Sequence, residues 1–133
     1  NLRYPQVSPN GKLLAYAFDD DQTKRPKVAV IEFDSGAPVK TFDLPVTTGT
    51  SFYESAFYHG LHWSPDGRAL IYINTLGGVS NLWRQPLDGG KAAQITDFKS
   101  DLIYNFAYAL DGRSLALARG SHTRDAVLIS EVR

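Results

Sequence analysis

The apolar residues of this chain come in short runs separated by turn residues, and three of those runs follow the same kind of turn. Trp63-Ser64-Pro65-Asp66-Gly67-Arg68 leads into Ala69-Leu70-Ile71-Tyr72-Ile73, a run with no polar side. A strand that is apolar on both faces is covered on both faces. Pro65 suits the second position of a type I turn, because its ring pre-sets φ. The Ser64 hydroxyl can bond to backbone further along the turn, and Gly67 can take the positive φ that closes a bulged hairpin. Ser8-Pro9-Asn10-Gly11-Lys12 stands in the same way before Leu13-Leu14-Ala15-Tyr16-Ala17-Phe18, and Ala109-Leu110-Asp111-Gly112-Arg113 before Leu115-Ala116-Leu117-Ala118. The pattern predicts strands over 4–7, 13–18, 28–33 and 39–44, then 61–63, 69–74, 81–85 and 92–96, then 102–108, 114–119 and 126–132. No segment carries a sustained helical period, and short turns join the strands. The class is therefore all-β and antiparallel.

The turn glycines fall at 11, 67 and 112, in steps of 56 and 45 residues. A self-similar period near 45 marks a repeat architecture, and four-stranded propeller blades repeat at about 40–50 residues. The expected domain is a partial β-propeller of about three four-stranded blades: residues 1–45, 46–97 and 98–133, the last without its outer strand. An aromatic-rich insertion at 45–60 accounts for the longer first step. Three blades cannot close a ring, since rings take about four or more, so two apolar blade faces are left bare. The remaining blades of a longer parent chain would cover them, or a second copy would, giving six blades in all.

Composition narrows the partners. The chain has 14 basic and 14 acidic residues and a formal net charge of zero, whereas a nucleic-acid binder needs a positive face. Lys24, Arg25 and Lys27 are the only basic cluster and read as a solvated loop. There is no cysteine, so disulfides and thiol chemistry are excluded. No apolar run approaches the length of a membrane-spanning helix. Neither nucleic acid nor membrane is expected as a partner.

The repeats resemble propeller repeats of the TolB type, which are related to WD repeats. The matching residues are Ser64-Pro65-Asp66-Gly67-Arg68, then Asn81-Leu82-Trp83 with Leu87-Asp88-Gly89-Gly90, and Gln94-Ile95-Thr96. The third repeat departs by carrying Ala109-Leu110 where Ser-Pro is usual. The last blade, with Thr96-Asp97-Phe98-Lys99-Ser100-Asp101, Ala118-Arg119-Gly120-Ser121 and Asp125-Ala126-Val127-Leu128-Ile129, is similar to the C-terminal end of propellers on bacterial signalling proteins. Those proteins carry an N-terminal kinase or winged-helix domain. The resemblance implies a C-terminal sensor or interaction module of a longer chain, and leaves open the cytoplasmic side of a signalling protein or the periplasm. Propellers of this type also occur as periplasmic interaction proteins and as gates on serine peptidases.

Turns alternate between the two ends of a blade. The Ser-Pro-Asp-Gly turns share one end. The second-to-third-strand loops and the between-blade loops share the other, and loops on a rigid scaffold carry function disproportionately. That end collects Asp19-Asp20-Asp21, Arg25, the insertion, residues 75–78, Lys99 and Ser121-His122-Thr123-Arg124. The candidate partner-binding residues are Tyr53, Tyr58, His59, Arg25, His122 and Arg124. The aromatic ones would serve as interface anchors, or would plug the central channel or cover a bare blade face. Three consecutive aspartates lack the alternating spacing and glycine of a calcium loop. His59 and His62 do not share a strand face, and no further zinc ligands stand near them. There is no Gly-x-Ser-x-Gly elbow and no phosphate-binding loop. The reading is a non-catalytic module that binds a protein or peptide, with no metal or cofactor. The alternative is the propeller portion of a hydrolase, either the gate of a serine peptidase or a glycosidase-like enzyme with its site in the funnel. Paired, strongly perturbed carboxylates would favour the alternative.

Overall fold

Three turns carry nearly the same hydrogen bonds and start three sheets in the same way. In the computed structural model, which describes residues 3–44 and 60–121, Gly67 lies at φ +67°. Its N–H donates to the Ser64 carbonyl at 2.8 Å, and the Ser64 N–H donates to the Ala69 carbonyl at 2.8 Å. The Ser64 hydroxyl donates to Asp66 Oδ1 at 2.6 Å and accepts from the Ala69 N–H at 3.0 Å. The first turn repeats this bracket, with the Ser8 hydroxyl donating to Asn10 Oδ1 at 2.8 Å and accepting from the Leu13 N–H at 2.9 Å. In the third turn Ala109 has no hydroxyl. Asp111 Oδ1 accepts from the Arg113 N–H at 2.8 Å, as Asp66 does from Arg68 and Asn10 from Lys12, and takes the place of the hydroxyl by accepting from the Ser114 N–H at a longer 3.3 Å.

Each turn joins the first two strands of its sheet. The first sheet has the order β1 (Arg3–Val7), β2 (Leu13–Asp19), β3 (Pro26–Glu32) and β4 (Pro38–Asp43). The second is β5 (Leu61–Trp63), β6 (Ala69–Leu76), β7 (Val79–Pro86) and β8 (Ala93–Gln94). The third pairs β9 (Leu102–Tyr108) with β10 (Leu115–Gly120), and all the pairings are antiparallel. The predicted strand at 126–132 lies outside the described residues.

Three local expectations are corrected. The loop expected at 75–79 is a two-residue turn, Gly77-Gly78, with φ +56° and +80°. Two positive φ values are what a type I′ hairpin needs. The strands run on to Leu76 and Val79, with the Thr75 and Ser80 hydroxyls 2.8 Å apart. Phe33 leaves the third strand and is half exposed, because the Gly36 N–H turns back to the Glu32 carbonyl at 2.9 Å. The outer strand of the second sheet is shorter than 92–96, since Thr96 bonds through its side chain to Asn81 instead of continuing the ladder.

The sheets stack face to face. Ala15, Ala17, Val28, Val30 and Phe42 of the first pack against Trp63, Leu70 and Tyr72 of the second. The Trp63 indole N–H also donates to the Gln6 carbonyl at 2.8 Å, tying the two inner strands. From the other face, Ile71, Ile73 and Leu82 pack against Ile103 and Phe106. The first six residues of β6 are all buried, as its two-sided apolar pattern requires. Burying a side chain such as Leu70 or Ile73 contributes about 1.5–3 kcal/mol.

The bracket should be measurable. Ser64→Ala leaves the buried Ala69 N–H without its acceptor and should cost about 1–3 kcal/mol in urea unfolding. Ala109→Ser should restore the missing hydroxyl and stabilise by up to about 1 kcal/mol. Gly67→Val should cost at least about 1–3 kcal/mol through strain at positive φ. An unchanged midpoint for Ser64→Ala or Gly67→Val would contradict the turn geometry.

Candidate interaction face

Strand direction places the candidate face. β2 and β6 run away from their Ser-Pro turns, so residues 20–25 and Gly77-Gly78 lie at the opposite end of their sheets, and Lys99 precedes β9 at that same end. Tyr53, Tyr58, His59, His122 and Arg124 lie outside the described residues. Arg25 is described and exposed, and its carbonyl accepts from the Asp20 N–H at 3.0 Å.

Asp20 organises that loop. Its Oδ1 accepts from the Thr23 N–H at 2.8 Å, the Thr23 hydroxyl at 2.9 Å and the Gln22 N–H at 3.2 Å. Lys27 Nζ sits 3.1 Å from its other oxygen. The two Thr23 bonds, and then the Lys27 bond, hold the carboxyl well below the usual carboxylate range. The aspartate run is therefore a side-chain-closed turn. Of the basic cluster, Lys27 faces Asp20 and Asp43, and its pKa is raised chiefly by the bond to Asp20. His62 packs its ring edge-on to Phe106 at 4.7 Å. Among the described residues, no three His, Cys, Asp or Glu side chains converge as a cation site.

The second sheet carries the feature that the sequence pattern missed. Asn74 is 4% exposed, and its Oδ1 has no hydrogen-bond partner. It faces a recess of about 240 Å³ at the loop end, lined also by Leu76, Val79, Trp83, Phe98 and Lys99. The recess keeps its shape through Asn81, whose Oδ1 accepts from the Phe98 N–H at 2.7 Å and from the Thr96 hydroxyl at 2.9 Å. Asn81 Nδ2 donates to the Phe98 carbonyl at 3.2 Å. The Thr96 hydroxyl in turn accepts from the Leu82 N–H at 2.9 Å. Two stretches matched on the repeat pattern, Asn81-Leu82-Trp83 and Gln94-Ile95-Thr96, are thus bonded to each other. Behind the recess, the Arg119 guanidinium lies 3.5 Å over the Phe98 ring and donates to the Ser100 carbonyl at 2.8 Å.

Other shifted groups are structural. Asp66 is lowered, first by the Ser64 hydroxyl bond and then by the Arg68 N–H. Burial pushes the Tyr72 phenol up to about 12 and raises Tyr108 as well.

Four-stranded antiparallel sheets, stacked face to face with the first-to-second-strand turns at one end, define a segment of a β-propeller. The propellers it is similar to are of the TolB type and others. TolB from Acinetobacter baumannii matches with a TM-score of 0.58 at 19% identity, over 86% of this chain and 26% of that one. The β-propeller domain of the Trilobed protease from Pyrococcus furiosus matches with 0.56 at 17% identity, over 87% of this chain and 32% of that one. An acylaminoacyl peptidase matches with 0.58 at 16% identity, over 98% of this chain and 19% of that one. Identities this low establish the fold alone. The chain spans between about a fifth and a third of these proteins' length. No protein-family model and no curated protein matches the sequence.

The aspartate turn gives a pH test. Because Asp20 has a lowered pKa in the folded chain, its contribution is present above the unfolded carboxyl value of about 3.9 and fades as pH falls through the folded value. Asp20→Asn should melt below the parent at pH 7, and the gap should close on acidification. A gap independent of pH would contradict the role given to its charge.

Proposed function

We propose that this propeller segment is a non-catalytic module that binds a protein or peptide through its loop end, within a larger bacterial signalling protein. The observation that carries the reading is the recess lined by Trp83 and Phe98 at the loop end of the second sheet. A volume of about 240 Å³ lies below the several hundred cubic ångströms of a typical small-molecule pocket. It suits one aromatic anchor of a peptide, set against Trp83 and Phe98. The last-blade resemblance supports the signalling context. Arg25, together with Tyr53, Tyr58, His59, His122 and Arg124, is proposed to add to the same face.

A second reading has an observation behind it. Two of the similar structures are peptidase propellers or whole peptidases. On that reading this segment belongs to the gate of a hydrolase, whose chemistry lies elsewhere.

The test is selection of random displayed peptides on the immobilised chain, followed by affinity measurement of the selected peptides. Asn74→Leu removes a buried acceptor that lacks a partner, so stability should hold or rise by up to about 1–2 kcal/mol. Trp83→Ala should weaken binding of peptides with an aromatic anchor at least tenfold. Enrichment that Trp83→Ala leaves untouched would count against the recess. Hydrolysis of aminoacyl anilides or nitrophenyl esters by the full-length protein, and not by this segment alone, would favour the gate reading.

A further inference from the structure

The second blade breaks the repeat on the side that faces the third. Strand pairing sets Ala15 against Val30 in the first blade and Ile71 against Arg84 in the second, so Val30 and Arg84 hold equivalent positions. Val30 is fully buried and shares a core with Trp63 of the next blade. Arg84 is half-buried, and its charge reaches the phenol of Tyr108, the residue that stands in the third blade where Trp63 stands in the second. An apolar pair between the first two blades thus becomes an arginine and a smaller ring between the next two. A half-buried guanidinium gives up hydration that a valine never had, and only a partner for its charge offsets that loss.

Arg84 lines a recess of about 650 Å³ at the turn end, together with Arg68, Asp66, Asp88, Pro86 and Leu87. Among the described residues, neither guanidinium makes a hydrogen bond or a close ion pair. The two carboxylates are partly engaged in their own turns. Asp66 Oδ1 accepts from the Ser64 hydroxyl at 2.6 Å and the Arg68 N–H at 3.0 Å, and Asp88 Oδ1 accepts from the Gly90 N–H at 2.8 Å. The Oδ2 atom of each faces no donor among the described residues.

The same place in the first blade is a smaller recess of about 410 Å³, lined by Asn10, Lys12, Glu32 and Asp34. Lys12 is its one cation, against two acids. In the second blade Arg68 replaces Lys12, Pro86 replaces Glu32, and Arg84 is added. That leaves two cations, two anions and an apolar wall of Pro86 and Leu87. Its volume falls in the range of about 300–1,000 Å³ usual for small-molecule sites.

We propose that this recess binds a small zwitterion with an apolar side chain, a free amino acid or a short peptide, at the end of the blade opposite the loop-end recess. Guanidinium forks match a carboxylate bidentately, so Arg68 and Arg84 take the ligand's carboxylate. Asp88 takes its ammonium. Pro86 and Leu87 take its side chain. A phosphate dianion is disfavoured, because Asp66 and Asp88 would oppose its second charge.

The test is calorimetric titration of the purified protein with leucine, glycyl-leucine and diglycyl-leucine, which distinguishes a free amino acid from a peptide. At least one should bind saturably with one site per chain. Its N-acetyl and C-amide forms should each bind at least about tenfold more weakly, the loss of one charge-assisted contact. Arg84→Val puts the first blade's residue into β7, so the variant should melt at or above the parent temperature while binding falls at least about tenfold. Arg68→Gln, at an exposed turn position, should weaken binding likewise, and Lys12→Gln should leave it unchanged. Absence of saturable binding by all three probes would overturn the proposal. So would blocked forms that bind as well as the zwitterion, binding indifferent to Arg84→Val and Arg68→Gln, or inorganic phosphate binding more tightly than any of the three.

Discussion

Everything in this chain depends on a sheet too thin to have an inside. A four-stranded sheet buries nothing alone. Its apolar residues leave water only when another sheet lies on them. β6 shows the constraint most sharply, with Leu70 and Tyr72 pressed toward one neighbour and Ile71 and Ile73 toward the other. Its conformation, its lack of polar side chains through Ile73 and its place in the middle of the stack are one fact seen three ways. The Ser-Pro-Asp-Gly bracket matters because it fixes where β6 starts. A one-residue slip in a strand would exchange its two faces. In a strand loaded on both sides the damage would be steric, with Tyr72 aimed at a space shaped for Ile71.

This constraint explains why the fold was so legible. The bracket is local chemistry: Ser64, Asp66 and Gly67 close their bonds within six residues, so their spacing reveals them. The two-sided apolar run of β6 is equally local. The tip of the β6–β7 hairpin was less legible, because Asn74, Thr75, Ser80 and Asn81 break the apolar pattern while the strands continue. Their partners explain why polar residues are tolerated there. Thr75 and Ser80 bond each other, and Asn81 reaches the backbone of Phe98.

The loop end of the blades was chosen as the functional face on general grounds, and within it the residues named from sequence and the residue found in the structure differ. Exposed aromatics and cations draw the eye in a sequence, whereas a buried asparagine with an unmet acceptor does not. Asn74 became visible only once β6 and β7 were paired and the return through residues 95–98 was in place. Arg119 is a similar case, since its contact with Phe98 links β10 to the stretch before β9 through residues far apart in the chain. Asp20 shows the reverse: three aspartates in a row suggest a cation, and the geometry makes the middle one a turn former.

Hydrogen exchange across the strands tests the central claim most directly. With both faces covered, the amides of β6 should be the slowest to exchange in the chain, slower than those of β2, and β10 should be less protected than either. Exchange from β6 as fast as from β10 would contradict a stack in which the second sheet lies between the other two.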